Sequence, residues 1–467
     1  MSYRTLAWLP VLAIAWAVGC GREPVTEESS RAEAALLGDL PHLAETRHEG
    51  LRAELSRLVD ERATPRLLEA DDRGELNRLA AEANARSSAD HTPDAPPTNR
   101  AGSDARGPSP KNGSLLSTLF VLGEFDAMQS GLEELYPLDR FAFTALALKN
   151  AAAFRRQHDS VRTRFRAVLA HPDERLLVDH SQGLMADVSL VDVFEACNRL
   201  EALVAAEHLA DDRPDEAVEP LLAMFRATAI LSTRRHVVPR LGAANQRAEA
   251  IRVMEAIAQH PAADRDVLLA LREIVAGQLA HWPPDADAWI GDRAMGLHTY
   301  EVVRDGRVLS LLSQSEIDKM QRDESLEEFA LAVTENVDED ESFYLDSMRR
   351  IIAACDQPYF ERKDVLDEVR HELNSRRDTS LFPTVAAMLL LEDIDRGHRL
   401  QARDRALCEA WLLALSAATG EPLPPLKANP ETGERYDVRQ SAAFVVVEGV
   451  NVGAEEYRPV FVPRRSE

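Results

Sequence analysis

The strongest constraint on what this chain can fold into is a gap in its hydrophobicity. Across residues 85–113 serine, aspartate, proline, glycine and asparagine dominate, Pro93, Pro96, Pro97, Pro108 and Pro110 recur, and large apolar side chains all but vanish. Such a stretch cannot bury enough surface to offset the entropy of ordering its backbone, so it reads as a disordered linker. It cuts the 467 residues into a short N-terminal part and a long body. As a flexible coil its 29 residues span about 30 Å.

On either side of the gap, apolar residues recur at helical spacing. Before it, residues 36–84 read as a short helical segment, with Leu51, Leu55 and Leu58 on one face and Leu67, Leu68, Leu76 and Leu79 around a break near Gly74. After it, Val218, Leu221, Leu222, Phe225 and Ala229 form one stripe, with Asp212 and Pro214 marking its N-terminal boundary. Val267, Leu268, Leu271, Ile274, Val275 and Leu279 form another, closed by His281-Trp282-Pro283-Pro284. Further stripes lie at Val191 to Val204, 385–391 and 406–417. Short connections make successive helices antiparallel neighbours. Residues 114–421 are therefore expected to be mainly α, an irregular helical bundle or solenoid of antiparallel hairpins. From 422 the character changes. Segments 434–439, 443–447 and 457–462, punctuated by Gly433, Gly449, Asn451 and Gly453, read as three short strands. Residues 422–467 thus make a small antiparallel β element, which must pack on the helical body because a sheet this small is not stable alone.

The N-terminus carries an address. Arg4 is followed by an apolar stretch from Leu6 to Val18, whose thirteen residues rise about 20 Å as a helix and fall short of a roughly 30 Å hydrocarbon core. The stretch fits the apolar region of a secretory signal peptide. It ends Ala17-Val18-Gly19-Cys20, which resembles the lipobox of bacterial lipoproteins. That resemblance implies cleavage after Gly19, so that residues 1–19 are the signal peptide. It also implies acylation of Cys20, with diacylglyceryl and palmitate-type chains, and a lipidated tether over residues 20–35. Gly21 stands where an aspartate would retain such a protein at the inner membrane, so the resemblance implies a cell-envelope protein on the outer membrane facing the periplasm.

Charge narrows the partners. Lys+Arg 54 against Asp+Glu 79 gives −25, and loss of Arg4 with the signal peptide makes it −26. A surface this acidic repels phosphate backbones, so nucleic acid is not expected as a partner. Besides Cys20 there are Cys197, Cys355 and Cys408, of which one pair at most can close; Cys355–Cys408 is the candidate bridge.

Few residues suggest chemistry. His371-Glu372 opens like a zinc-protease helix, but Ser375 stands where the second histidine must fall. The run Asp338-Glu339-Asp340-Glu341 lacks the glycine and spacing of a calcium loop and reads as a solvated charged turn. His208 and His398 are expected at helix ends, capping carbonyls or facing solvent. No nucleophile elbow and no phosphate-binding glycine loop occurs. The densest polar cluster is Gly291-Asp292-Arg293-Ala294-Met295-Gly296 with His298 and Tyr300. Asp292, Arg293 and His298 are the candidate pocket residues, although such a group more often forms an inter-helix corner. Trp282 and Trp289, beside prolines, read as packing under a loop. No metal and no cofactor is expected.

The helical pair within residues 201–304, with Gly291-Asp292-Arg293-Ala294 and the turn Asn429-Pro430-Glu431-Thr432-Gly433 before Tyr436, resembles a group of uncharacterised helical bacterial proteins common in planctomycetes. The resemblance implies a fold and no activity. The sequence therefore leads to a lipid-anchored envelope protein that binds or scaffolds other envelope proteins without catalysis. The alternatives are an envelope hydrolase without a readable motif and a small-ligand- or lipid-binding helical protein.

Overall fold

The structure, a computed structural model, describes residues 128, 131–132, 152–170, 186, 188–312, 314–322, 326–377, 383–390, 394–426, 428–448 and 459–465. The expected signal peptide, tether, short helical segment and linker, with Gly19 and Cys20, lie outside these residues.

The described residues are mainly helical. The helices are α1 (Asp159–Ala170), α2 (Leu190–Ala210), α3 (Val218–Ser232), α4 (Val237–Gln259), α5 (Arg265–Ala280), α6 (Asp285–Arg304), α7 (Gln314–Arg322), α8 (Leu326–Glu335), α9 (Val337–Ala354), α10 (Tyr359–Arg377), α11 (Val385–Leu389) and α12 (Ile394–Thr419). Three strands follow, β1 (Asp437–Gln440), β2 (Phe444–Glu448) and β3 (Val460–Pro463). The unequal helix lengths, from five to 26 residues, give an irregular bundle. Among the described residues no helix is long and apolar enough to cross a membrane.

The stripes read from the sequence fall where helices form. Helix α3 starts at Val218 and buries Leu221 and Phe225 against α2 and α4. A short turn joins α2 to α3, so the two fold back on each other. Asp212 in that turn adopts φ 56°, and the Arg213 amide donates to the His208 carbonyl at 2.9 Å, a closure in which glycine is the usual residue. Helix α5 is capped by Asp264, whose carboxylate accepts from the Val267 amide at 2.9 Å, and buries Val267, Leu268, Leu271 and Val275.

Helix α12 is the axis. Residues 406–419 are almost entirely buried on every face, as an all-round apolar helix must be. The helix as a whole packs against α5, α4, α10 and the sheet. The sheet is antiparallel in the order β1-β2-β3, with Val445 opposite Val462 and Val447 opposite Val460. Those four valines are buried against the main core, while Phe444 and Phe461 lie on the other face. Each buried valine contributes about 1.5–3 kcal/mol relative to exposure, which explains why so small a sheet holds its place. A second core joins α1, α2 and α3 through Phe165, Phe194, Leu200 and Leu231.

Two expectations are corrected. Cys197, Cys355 and Cys408 are all free thiols, so the Cys355–Cys408 bridge does not form. The stretch 291–296 is no corner; it runs through the middle of α6. Gly296 is needed there because a Cβ would come within 2.1 Å of the Tyr344 hydroxyl oxygen, where α9 crosses.

Candidate functional site

Helix geometry separates the three residues nominated from sequence. Each residue along an α-helix turns by about 100°, so Arg293 and His298 leave α6 about 100° and 240° away from Asp292. Arg293 is buried, whereas Asp292 and His298 keep partial contact with solvent. Among the described residues the Asp292 carboxylate has no hydrogen-bond or ion-pair partner, and burial pushes its carboxyl up to about 7. The three do not converge on a common point.

The acidic run is also placed differently from its expected role. Asp338 and Glu339 are exposed, but Asp340 and Glu341 are buried near the start of α9. Asp340 accepts from the Thr384, Val385 and Ala386 amides at 2.6, 3.0 and 2.7 Å and from the Tyr300 hydroxyl at 2.8 Å. It therefore fastens the start of α11 to α6 and α9. Glu341 pairs with Arg304. His371 and Glu372 are exposed or half-buried along α10, with Glu372 held by Arg350. Among the described residues no group of three or more His, Cys, Asp or Glu could hold a metal ion.

Polar chemistry is concentrated instead in a buried layer between α4, α6, α10 and the N-terminal half of α12. Its spine is the stripe His398, Gln401 and Asp404, spaced by three residues and so on one face of α12. Trp289 of α6 lies flat on His398, with ring centroids 4.1 Å apart, and its indole N–H donates to the Gln401 Oε1 at 3.2 Å. Gly397 allows that approach, since a Cβ there would meet the Trp289 ring at 3.0 Å. His398 is thus neither a carbonyl cap nor solvent-facing, and Trp289 packs within a helix interface.

Arginines tie the layer together. Arg362 of α10 donates through Nη1 to His398 Nδ1 at 3.2 Å and through Nη2 to Asp285 Oδ2 at 2.6 Å. Arg240 of α4 donates to Asp285 Oδ1 at 3.2 Å, to the Pro283 carbonyl at 2.9 Å and to the Ser232 carbonyl at 2.7 Å. Arg247 pairs with Asp404, donates to Ser232 Oγ at 2.6 Å and stacks on Trp282, 4.7 Å from the ring centroid. Trp282 is therefore held between helices by arginine as well as lying near the prolines.

The Cys355 Sγ lies 3.9 Å from His398 Nδ1, the pairing a thiol nucleophile would need. The electrostatics are wrong for that role. Arginine can only donate, so His398 Nδ1 is an acceptor already engaged, and the ring proton sits on Nε2. Burial and the Arg362 charge hold the imidazole well below its ordinary range, so it stays neutral. Burial pushes the Cys355 thiol up to about 12, and the thiol proton points to the Ile351 carbonyl at 3.4 Å. A reactive cysteine needs its thiol lowered instead. The layer consequently works as a set of helix ties.

The turn 429–433 repeats that theme. The Asn429 Oδ1 accepts from the Glu431 amide at 2.7 Å, and Glu431 binds Arg403 at 2.7 Å, which anchors the turn to α12. Tyr436 donates to Glu409 Oε2 at 2.8 Å.

Sequence reasoning missed the layer because its residues come from four helices. Its signal was the three-residue spacing of His398, Gln401 and Asp404, which also fits a solvated face. Compared with known proteins, the chain matches no family model, and no curated protein or solved structure is similar to it.

Proposed function

We propose that this chain is a cell-envelope lipoprotein, held on the membrane through lipidated Cys20, whose helical body binds or scaffolds other envelope proteins without catalysing a reaction. The observation that carries the reading is how the body uses its reactive groups. Cys355, His398 Nδ1 and Asp404, the thiol, imidazole and carboxylate that meet in the buried layer, are engaged in contacts between helices. A body stiffened in this way presents a fixed surface to a partner. The short apolar segment ending Ala17-Val18-Gly19-Cys20 supports the anchor, and Gly21 supports an outer-membrane position facing the periplasm. The polar stretch over 85–113 supports a tether that lets the body search near the membrane. The acidity of the chain favours protein partners over nucleic acid. In the resemblance to uncharacterised helical proteins common in planctomycetes, the turn anchored by Glu431 and Arg403 is the element that joins sheet to helix.

The test is crosslinking in intact cells, followed by purification from membranes and identification of what is attached. The reading expects the same envelope proteins to be recovered repeatedly with the wild type and lost with Cys20→Ser. Reproducible recovery of no partner would overturn it.

A further inference from the structure

The buried layer is unbalanced in two independent ways. Five of its donors have no acceptor among the described residues: Arg247 Nε, Trp282 Nε1, Arg362 Nε, His398 Nε2 and Gln401 Nε2. None of its acceptor atoms is left over in the same way. The charges lean in the same direction. Among the described residues Arg240, Arg247 and Arg362 pair only with Asp285 and Asp404, because Asp285 is shared between Arg240 and Arg362 while Asp404 serves Arg247. With His398 neutral, one positive charge of the layer remains uncompensated among the described residues. The next carboxylate along α12, Asp395, is taken up by the Tyr359 hydroxyl at 2.7 Å.

Buried donors without partners and a buried charge without a counter-charge are each costly, and one guest relieves both. Ordered water would accept from the donors but leave the charge. An anion accepts hydrogen bonds and supplies the missing negative charge. The most enclosed donors are His398 Nε2 and Gln401 Nε2, from residues one turn apart on α12 that both touch Trp289; both residues are at most 1% exposed. We propose that one small monovalent anion, halide- or carboxylate-sized, binds in the interior between α6, α10 and α12, with His398 Nε2 and Gln401 Nε2 as donors, balancing the one charge that Arg240 and Arg362 leave over when they share Asp285. The ion completes the tie between the helices that meet at α12. This inference is independent of the scaffold reading and would survive its failure.

The experiment measures thermal unfolding of the purified, detergent-solubilised full chain at neutral pH and fixed ionic strength, with bromide replacing gluconate. A specific site gives a saturable rise in Tm of roughly 3–5 °C over a hundredfold range of bromide. Formate in place of bromide distinguishes a carboxylate site, which gives the larger rise, from a halide site, which gives the smaller. His398→Phe keeps a ring on Trp289 and removes the Nε2 donor, so the rise should vanish; Gln401→Leu should reduce it, and serves if His398→Phe does not fold. Failure of Tm to respond in the wild type would overturn the proposal. So would an equal response in wild type and variants, which would place the ion elsewhere. Crystals soaked in bromide should show an anomalous peak within hydrogen-bonding distance of His398 Nε2, and a water at that position would refute the site.

Discussion

Asp292 gives the sharpest energetic prediction. Its carboxyl sits on α6 with no cation or donor beside it among the described residues, and burial alone pushes it from 3.8 up to about 7. Each tenfold gain in proton affinity is worth about 1.4 kcal/mol, so a rise of this size amounts to about 4 kcal/mol. The side chain keeps partial contact with solvent, which halves the figure to about 2 kcal/mol. Linkage sets the sign. A group whose folded value is raised binds protons more tightly in the folded state, so stability is fully present below pH 4 and is lost as pH rises through 7. Asp292→Asn removes that loss. Urea unfolding of wild type and variant, followed by helix content, should give a stability difference near zero at pH 4. By pH 8 it should favour the variant by about 2 kcal/mol. Asp192 and Asp404, each raised to about 6, titrate in both proteins and cancel from the comparison. A difference that does not change with pH, or a variant less stable at pH 8, would refute the reasoning.

Other residues offer coarser tests. Asp404→Asn leaves Arg247 buried without its counter-charge and should cost about 3–5 kcal/mol in urea unfolding at pH 7; a loss under 1 kcal/mol would mean the pair is not closed. Gly296→Ala places a methyl against the Tyr344 ring and should cost about 1–3 kcal/mol, but much less when the same change is made in a Tyr344→Ala background, whose own loss of a buried ring is measured separately. If Gly296→Ala costs as much in the Tyr344→Ala background as in the wild type, the crossing of α6 and α9 is misplaced. The mature protein, unfolded without reductant, should take up three alkylating groups by mass spectrometry, one each at Cys197, Cys355 and Cys408. Uptake of a single group would indicate the bridge that the structure lacks.

The parts legible in the sequence are those whose burial is one-sided or complete. The stripe from Val218 reads correctly because α3 follows a helix boundary at Asp212 to Pro214, and the valine-rich β2 because its inner face alternates with its outer face. The polar half of α12 was not legible. His398, Gln401 and Asp404 have the spacing of a solvated face and are buried only because Trp289, Arg362 and Arg247 arrive from elsewhere. Asp340 hides in the same way, since its carboxylate looks like part of an exposed acidic run until α11 is in place. At 291–296 two glycines lower helix propensity and suggest a corner, yet the contact with Tyr344 favours a continuous helix over the local preference. For Asp292, Arg293 and His298, closeness in sequence implied closeness in space, and the helical turn separates them.

That Cys20 holds this chain on a membrane is open to one direct measurement. Cells producing the wild type or Cys20→Ser are fed an alkyne-tagged palmitate, and the protein is then purified and probed for the tag in membrane and soluble fractions. Lipidation at Cys20 predicts a labelled, membrane-bound wild type that starts at Cys20, and an unlabelled Cys20→Ser protein released from the membrane after mild washing. Equal labelling of the two proteins, or a wild type that carries no lipid, would contradict it.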